Sequence, residues 1–410
     1  MATSTSRLST AAATPLPSGA APVLRSLNEW SVAARLLDAG PLTRVELAEL
    51  TGLALPTVGR AVASLEKLGI AVRTGQDTSR KGPAALVYGI EPHDGGLHAA
   101  LVISPRNLRL TVSTVRGERL VVAERPAEVA PAGDRLEIQV RRLVESALAR
   151  SGVSRERIWH TVISVPTIVD GEGRVRRDLP SPLPHFDQDA IDAIRSDLDR
   201  TAQAQGVTVE NDINLAALGE GAEGAARGLE DFVYLHVGEG IGMGVVLHGE
   251  LHRGARGAAG EVSRMPYGGV VPRSSREREL GPLQLALGPH AFAARLAAHG
   301  VPADTAPSAV FEAAARGEQA CAEVVREHAG ALAHAVAGID AVLDPALHVL
   351  GGELAGHPDL LAPLREVFAS LGPRTPAVAV SSLGNDAVLR GAEVVAAARV
   401  REELFRRITG

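Results

Sequence analysis

Residues 232–251 read FVYLHVGEGIGMGVVLHGEL. An apolar run breaks into glycines at 238, 240, 242 and 244, then resumes. Glycines so spaced allow close backbone approach, as a phosphate cradle requires, but β-hairpins use the same residues. On both sides of this stretch, β-rich and helical segments alternate. LHAALVISPRNLRLTVSTVRGERLVVAERP (97–126) predicts a three-strand meander turning at Arg116 and Gly117. RLEIQVRRLVESALARSG (135–152) is an amphipathic helix with Leu136, Val140, Leu143 and Ala147 on one side. IWHTVISVPTIVDGEG (158–173) is a buried strand running into a loop, and TVEND, LHVLGGELA and a long helical region follow. The sum is an α/β body with mixed sheets.

A different signal precedes the body. Residues 42–69 read LTRVELAELTGLALPTVGRAVASLEKLG. Thr43 and Glu46 have capping-box spacing, which starts a helix at Arg44 that buries Leu47 and Ala48. Gly52 permits a tight turn, and Pro56 suits the first turn of the next helix. Ala54 stands where a serine would cap that helix. Val58, Ala61, Val62, Leu65 and Leu68 face inward, leaving Thr57, Arg60, Ser64 and Lys67 on the opposite face. Ahead of this pair, Leu27, Trp30, Ala34 and Leu37 form the apolar stripe of another helix. After it, GIAVRTGQDTSRKGPAALVYGI (69–90) reads as two strands around a polar loop.

Ala48, Gly52 and Val58 fit a helix-turn-helix, and the strand pair fits a wing. Thr57 and Arg60 are then the base readers. Arg44, Ser64, Lys67, Arg80 and Lys81 are placed to meet phosphate or the minor groove. A protein-interaction module with a solvated polar face is the plainer alternative.

Charge agrees with a DNA-binding head. The chain of 410 residues carries a net charge of −6, yet residues 1–90 hold an excess of three positive charges. A basic head on an acidic body is the polarity expected if only the head meets phosphate. Aromatics are 3% of the chain, so its cores rest on Ala, Val and Leu. Cys321 is the sole cysteine, which excludes an intrachain disulfide and a cysteine-rich zinc site. No apolar run reaches the ~18 residues of a membrane span. MATSTSRLSTAAATPLPSGAAP, at the start, is a poor signal peptide and reads as a disordered tail, so a cytoplasmic protein is expected.

Taken in order, the head, the meander, SVPTIVD, VENDIN, VGEGIGMGVVLHGELHRGARGAAGEV, LHVLGGELA and LGNDAVLRGAEVVAA resemble the ROK family over about residues 25–405. The resemblance implies an actin-like, ribonuclease H-like, two-lobed ATPase-type domain preceded by an all-α-plus-wing winged helix-turn-helix. It sets boundaries at 1–24 for the tail, 25–90 for the head, 91–212 with 385–410 for the first lobe, and 213–384 for the second. The final segment, LRGAEVVAAARVREELFRRI, is expected as a helix packing back on the first lobe. Members with a winged head are transcription regulators, usually sugar-responsive; members without one are sugar kinases.

Several positions depart from the kinase pattern. Where an Asp-x-Gly-x-Thr phosphate motif is expected, the chain has Val102, Ile103, Ser104, Pro105 and Arg106. Glu239 stands where kinases of the family carry Thr, and a carboxylate ~4 Å from a phosphate costs about 4 kcal/mol per unit charge at an effective dielectric near 20.

By resemblance, Asn211, Asp212 and Glu261 contact a sugar. In kinases Asp212 would be the base; here it is a vestige without its reaction. Asn211 and Asp212 alternatively cap a helix beginning near Leu215. Arg264 replaces a His that binds sugar and a structural zinc, the zinc cysteines give way to MPYGGVVPRSSREREL, and Pro182 stands where a further sugar-contacting Asn is expected. Arg264 either recruits an anionic ligand or makes an internal ion pair.

The expectation is thus a non-catalytic regulator with no metal and no cofactor. Its partners are a double-stranded DNA operator, a sugar-derived effector and one or more copies of itself, as a homodimer or homotetramer. A sugar kinase, and a DNA-binding regulator without an effector, stay open.

Overall fold

The computed structural model describes residues 20–78, 84–90, 96–127, 135–176, 186–199, 206–372 and 375–410. The chain forms two compact units, Met1–Gly95 with Arg401–Gly410, and Gly96–Val400. Arg80, Lys81 and Pro182 lie outside the described residues, as does the expected tail up to residue 19.

In the first unit, α1 (Ala20–Ala39) begins within the stretch expected as tail. β1 (Leu42–Thr43), α2 (Arg44–Thr51), α3 (Leu55–Lys67), β2 (Ala71–Asp77) and β3 (Ala85–Ile90) follow, with the strands ordered β1-β3-β2 and all antiparallel. The capping box forms as expected: the Glu46 amide donates to the Thr43 hydroxyl (3.3 Å), and the Thr43 amide donates to the Glu46 carboxylate (2.7 Å). Gly52, at φ +70°, ends α2, and Ala54 caps α3 without a side-chain bond. These elements form a winged helix-turn-helix.

Two core assignments change. Leu68 is half exposed; it lies one residue past α3, and Ile70 enters the core in its place after the turn at Gly69. On α1 the buried face is Glu29, Val32, Ala33, Leu36 and Leu37, and Leu27 is 49% exposed. Trp30 instead meets the ring of Phe405 edge-on at 5.2 Å. Arg401–Gly410, expected with the first lobe, groups with the head, where Leu404 and Ile408 are buried and Arg401 pairs with Asp38 at 2.8 Å.

The second unit contains two sheets built to one plan. The first comprises β4 (Leu97–Ile103), β5 (Asn107–Thr114), β6 (Arg119–Pro126), β7 (Ile158–Val165) and β8 (Gly206–Asn211), in the order β6-β5-β4-β7-β8. The second comprises β9 (Phe232–Val237), β10 (Ile241–Leu247), β11 (Glu250–Leu251), β12 (Leu347–Gly351) and β13 (Val378–Val380), in the order β11-β10-β9-β12-β13. Each is an antiparallel meander extended by two parallel strands.

Helices cover both faces of the first sheet, which is why β4 is buried at every residue and does not alternate. Leu97, Ala99, Leu101 and Ile103 pack toward α4 (Leu136–Ser151) and α5 (Gln188–Asp199). On the other face Ala100, Val102 and Val162 pack with Leu215, from α6 (Asp212–Glu223), and with Leu389, Ala392 and Ala396 from α13 (Ala387–Thr409). Helices α6 and α13 touch backbone to backbone: a Cβ on Gly391 would lie 1.7 Å from the Leu215 carbonyl oxygen, and one on Gly219 would lie 2.4 Å from that of Ala387.

The second sheet carries α7 (Ser275–Leu280), α8 (Pro282–Leu287), α9 (Pro289–Ala298), α10 (Pro307–Ala315), α11 (Gln319–Leu343) and α12 (Leu361–Leu371). Val233, Leu235, Val324, Leu332, Val336 and Phe368 lie in its core. The body is the mixed-sheet, two-lobed, actin-like α/β fold expected.

Candidate functional site

At the end of β8 the chain passes directly into α6. That helix begins at Asp212, three residues before the expected start. Asn211 is its N-cap: Oδ1 accepts from the amides of Ile213 (2.9 Å) and Asn214 (3.0 Å). Its Nδ2 donates to the Thr167 carbonyl at 3.0 Å, tying the helix start to the SVPTIVD loop.

Asp212 accepts from the Ile213 amide at 2.8 Å. Burial raises its pKa to about 7, the ordered amides oppose the rise, and the nearby Glu261 charge adds to it. Burial likewise raises Glu261, while the Arg264 guanidinium lowers it. With Asp212 pushed up to about 7 and Glu261 raised above the usual carboxylate range by burial, this pair can donate or accept at a hydroxyl, which suits recognition of a polyol.

Glu261 reaches this position because Gly260, at φ +86°, lies where a Cβ would sit 1.7 Å from the Met243 carbonyl oxygen. Its own carbonyl accepts from the Met243 amide at 2.9 Å. Arg264 is exposed and close enough to act on Glu261 through its charge. Asn211, Asp212, Glu261 and Arg264 are therefore grouped where the two sheets' chains meet.

Sequence reasoning passed over the carboxylate beneath them. Glu210 is buried, accepts from the Asn211 amide and Asn214 Nδ2 (both 2.9 Å), and receives Arg253 at 2.6 and 3.0 Å. This ion pair, its carboxylate buried and its guanidinium exposed, joins the first sheet to the loop after β11. Glu220 was missed as well: fully buried, it accepts from the amides of Ala225 (2.7 Å) and Leu383 (3.1 Å) and from the Ser381 hydroxyl. A charged side chain inside a glycine-flanked helix, GEG, was the available signal.

The β4–β5 turn holds no phosphate cradle. Ser104 and Asn107 use their amides within the turn, each at 3.0 Å, and Pro105 has none. Arg106 reaches across to the second sheet's loops. Its Nε and Nη2 donate to Glu239 at 3.2 and 2.8 Å, and its Nη1 donates to Glu353 at 2.7 Å. The glycine loop's Glu239 is thus paired with the residue that replaced the first phosphate motif. Two carboxylates and a guanidinium in this position do not fit a magnesium nucleotide, which needs a metal-holding carboxylate on the β4–β5 turn and free amides around its phosphates.

A structural zinc does not fit either. Cys321 is buried in α11, and among the described residues no group of three or more His, Cys, Asp or Glu is arranged to hold a metal. His248 and His252 are exposed beside β11.

On the head, Thr57, Arg60, Ser64 and Lys67 share the outer face of α3. Arg60 Nη2 donates to the Thr57 hydroxyl at 3.3 Å, and Arg25 Nη2 donates to the Ser64 hydroxyl at 3.2 Å. Arg25, absent from the expected set, thereby joins this face. Arg44 is half-buried with its guanidinium 5.1 Å from the centre of the Tyr88 ring, a packing position between α2 and β3.

The ROK family model matches residues 136–399. The bifunctional enzyme NanE/NanK of Brucella suis is 38% identical over 205 residues, which are 48% of this chain and only 36% of that protein. The xylose repressor of Caldicellulosiruptor bescii is 23% identical over 364 residues, covering 84% of this chain and 88% of that one. A crystal structure of a ROK family transcriptional regulator, a homolog of the E. coli MLC protein, superposes with a TM-score of 0.69 at 20% identity, covering 94% of this chain and 99% of that chain. With two matching mixed sheets, the capped Asn211 and the Gly260–Glu261 turn in place, the chain belongs to the ROK family.

Proposed function

We propose that this protein is a DNA-binding transcription regulator whose ROK body senses a sugar or sugar-derived ligand without phosphorylating it. The observation that carries the reading is the occupied nucleotide side of the body, where Arg106 is held by Glu239 and Glu353. A kinase needs that space for phosphates. Helix α3, with Thr57 and Arg60 foremost, reads bases; Ser64, Lys67, Arg25 and the wing touch backbone. Arg44 acts mainly by supporting the head against Tyr88.

Asn211, Asp212 and Glu261 contact ligand hydroxyls, and Arg264 at the rim selects for an acidic or phosphorylated group. The working unit is a homodimer or homotetramer in the cytoplasm, since one small head makes too few base contacts for specificity. Alignment with a repressor over most of both chains supports this reading.

The test is selection of bound fragments from a random DNA pool by the full chain, followed by titration with neutral and acidic sugars. Enrichment of a two-fold symmetric site, released or tightened by one sugar class, is the expected result. Failure to enrich any site removes the reading.

A sugar kinase is the second reading, favoured by the 38% identity to NanE/NanK and by an Asp212 that titrates near neutrality, as a base must. Release of ADP from ATP in the presence of hexoses or N-acetylated amino sugars would establish it.

A further inference from the structure

We propose that Arg106 is an interlobe clip, a cross-link that holds the two sheets of the ROK body closed across the nucleotide side with no nucleotide needed. The inference goes beyond the regulator reading and does not depend on DNA binding.

All three members are fixed from behind. The turn carrying Arg106 is braced by the Asn107 amide on Ser104 (3.0 Å) and by Asn107 Nδ2 on Glu124 (2.6 Å). The backbone of Glu239 is anchored through its carbonyl, which accepts from Gln284 Nε2 at 3.1 Å. The loop carrying Glu353 is pinned one residue on: the Leu354 amide donates to Val237 (2.9 Å), and the Leu354 carbonyl accepts from His328 Nε2 (2.7 Å). With its proton on Nε2, His328 presents a bare Nδ1, which faces Arg295 Nη1 at 3.5 Å. Preformed partners reduce the ordering entropy that makes most exposed ion pairs worth little. The fork geometry of arginine lets one side chain hold two carboxylates from loops that follow different strands. Without Arg106, Glu239 and Glu353 lose the guanidinium they share.

The experiment measures the distance between spin labels on Val122→Cys, exposed on β6, and Val342→Cys, exposed on α11, in the full-length protein. Cys321 is buried and stays unlabelled. The parent gives one narrow distance distribution at low salt. Arg106→Ala moves the closed-to-open ratio about two- to fivefold toward open, the range for ion pairs this exposed. Raising salt from roughly 0.05 to 0.5 M opens the parent more than it opens Arg106→Ala, in which the Glu210–Arg253 pair remains but the exposed Arg106 pairs are already gone. Arg106→Glu opens the body, and combining it with Glu239→Arg and Glu353→Arg restores the parent distribution. The proposal is overturned if Arg106→Ala reproduces the parent distribution at low salt, or if the triple charge swap stays as open as Arg106→Ala.

Discussion

Asp212 shows how environment sets the chemistry of a single residue. Its pKa is raised to about 7 from an unfolded value near 3.8, so the folded state binds the extra proton between those limits. Stability must then fall as pH rises through that window and level off above it. Discounted for the partial exposure of the side chain, the loss is about 1–2 kcal/mol. Asp212→Asn keeps an oxygen for the Ile213 amide and removes the ionisation. It is expected to match the parent near pH 4 and to exceed it in thermal stability at pH 8; equal melting curves at pH 8 would refute the assignment. On the head, Arg60→Ala is expected to weaken operator binding by about 1–3 kcal/mol with relaxed specificity, whereas Lys67→Ala weakens all DNA alike and lowers the salt slope by about 1. Fluorescence anisotropy on operator and scrambled duplexes distinguishes the two. The α3 face was legible from residue type and spacing, whereas Asp212 and Glu261 were singled out through the ROK resemblance. Arg106 and Glu239 were legible only as two separate departures from the kinase pattern, because residues 133 positions apart reveal a pairing only once folded.

At the scale of elements, local rules carried far. The box at Thr43 and Glu46 and the turn at Gly52 depend on neighbours within a few residues, and they formed as the sequence predicts. Thr43→Ala should cost about 1 kcal/mol, and Ala54→Ser, which supplies the missing cap of α3, should add about 0.5–1 kcal/mol. Urea unfolding followed by the fluorescence of Trp30 in a Trp159→Phe background measures both. Helix α1 behaved differently. Its expected stripe was not the one that became core: contact with α3 buried Val32, Ala33, Leu36 and Leu37, while Trp30 found Phe405 from the far end of the chain. A similar limit applies to α6 and α13. Glycines at 219 and 391 mark a close crossing only after both helices are placed, and Gly391→Ala is expected to destabilise by about 1–3 kcal/mol in calorimetry.

For the molecule as a whole, the proposed regulator works only if the ligand distinguishes two conformations of the body, since a ligand indifferent to them shifts nothing. An effective sugar should therefore raise the melting temperature and change operator affinity over one concentration range. As a symmetric dimer, the full chain should protect two half-sites separated by about 34–36 Å or a multiple of that spacing. Protection of a lone half-site by a monomeric species would contradict the proposed assembly.

What the sequence determined by itself was everything encoded locally: a capped helix-turn-helix and wing, strands alternating with helices, and a ROK-like order of motifs in which a phosphate loop had lost its Asp, Gly and Thr. Tertiary structure decided what those pieces do to one another. It paired Glu210 with Arg253, buried Glu220 against the loop before α13, and closed Arg106 onto Glu239 and Glu353. The physical reason is that caps and turns are satisfied by near neighbours, whereas a charge finds its partner, and a carboxyl its pKa, only in the field of chains brought together from distant parts of the sequence.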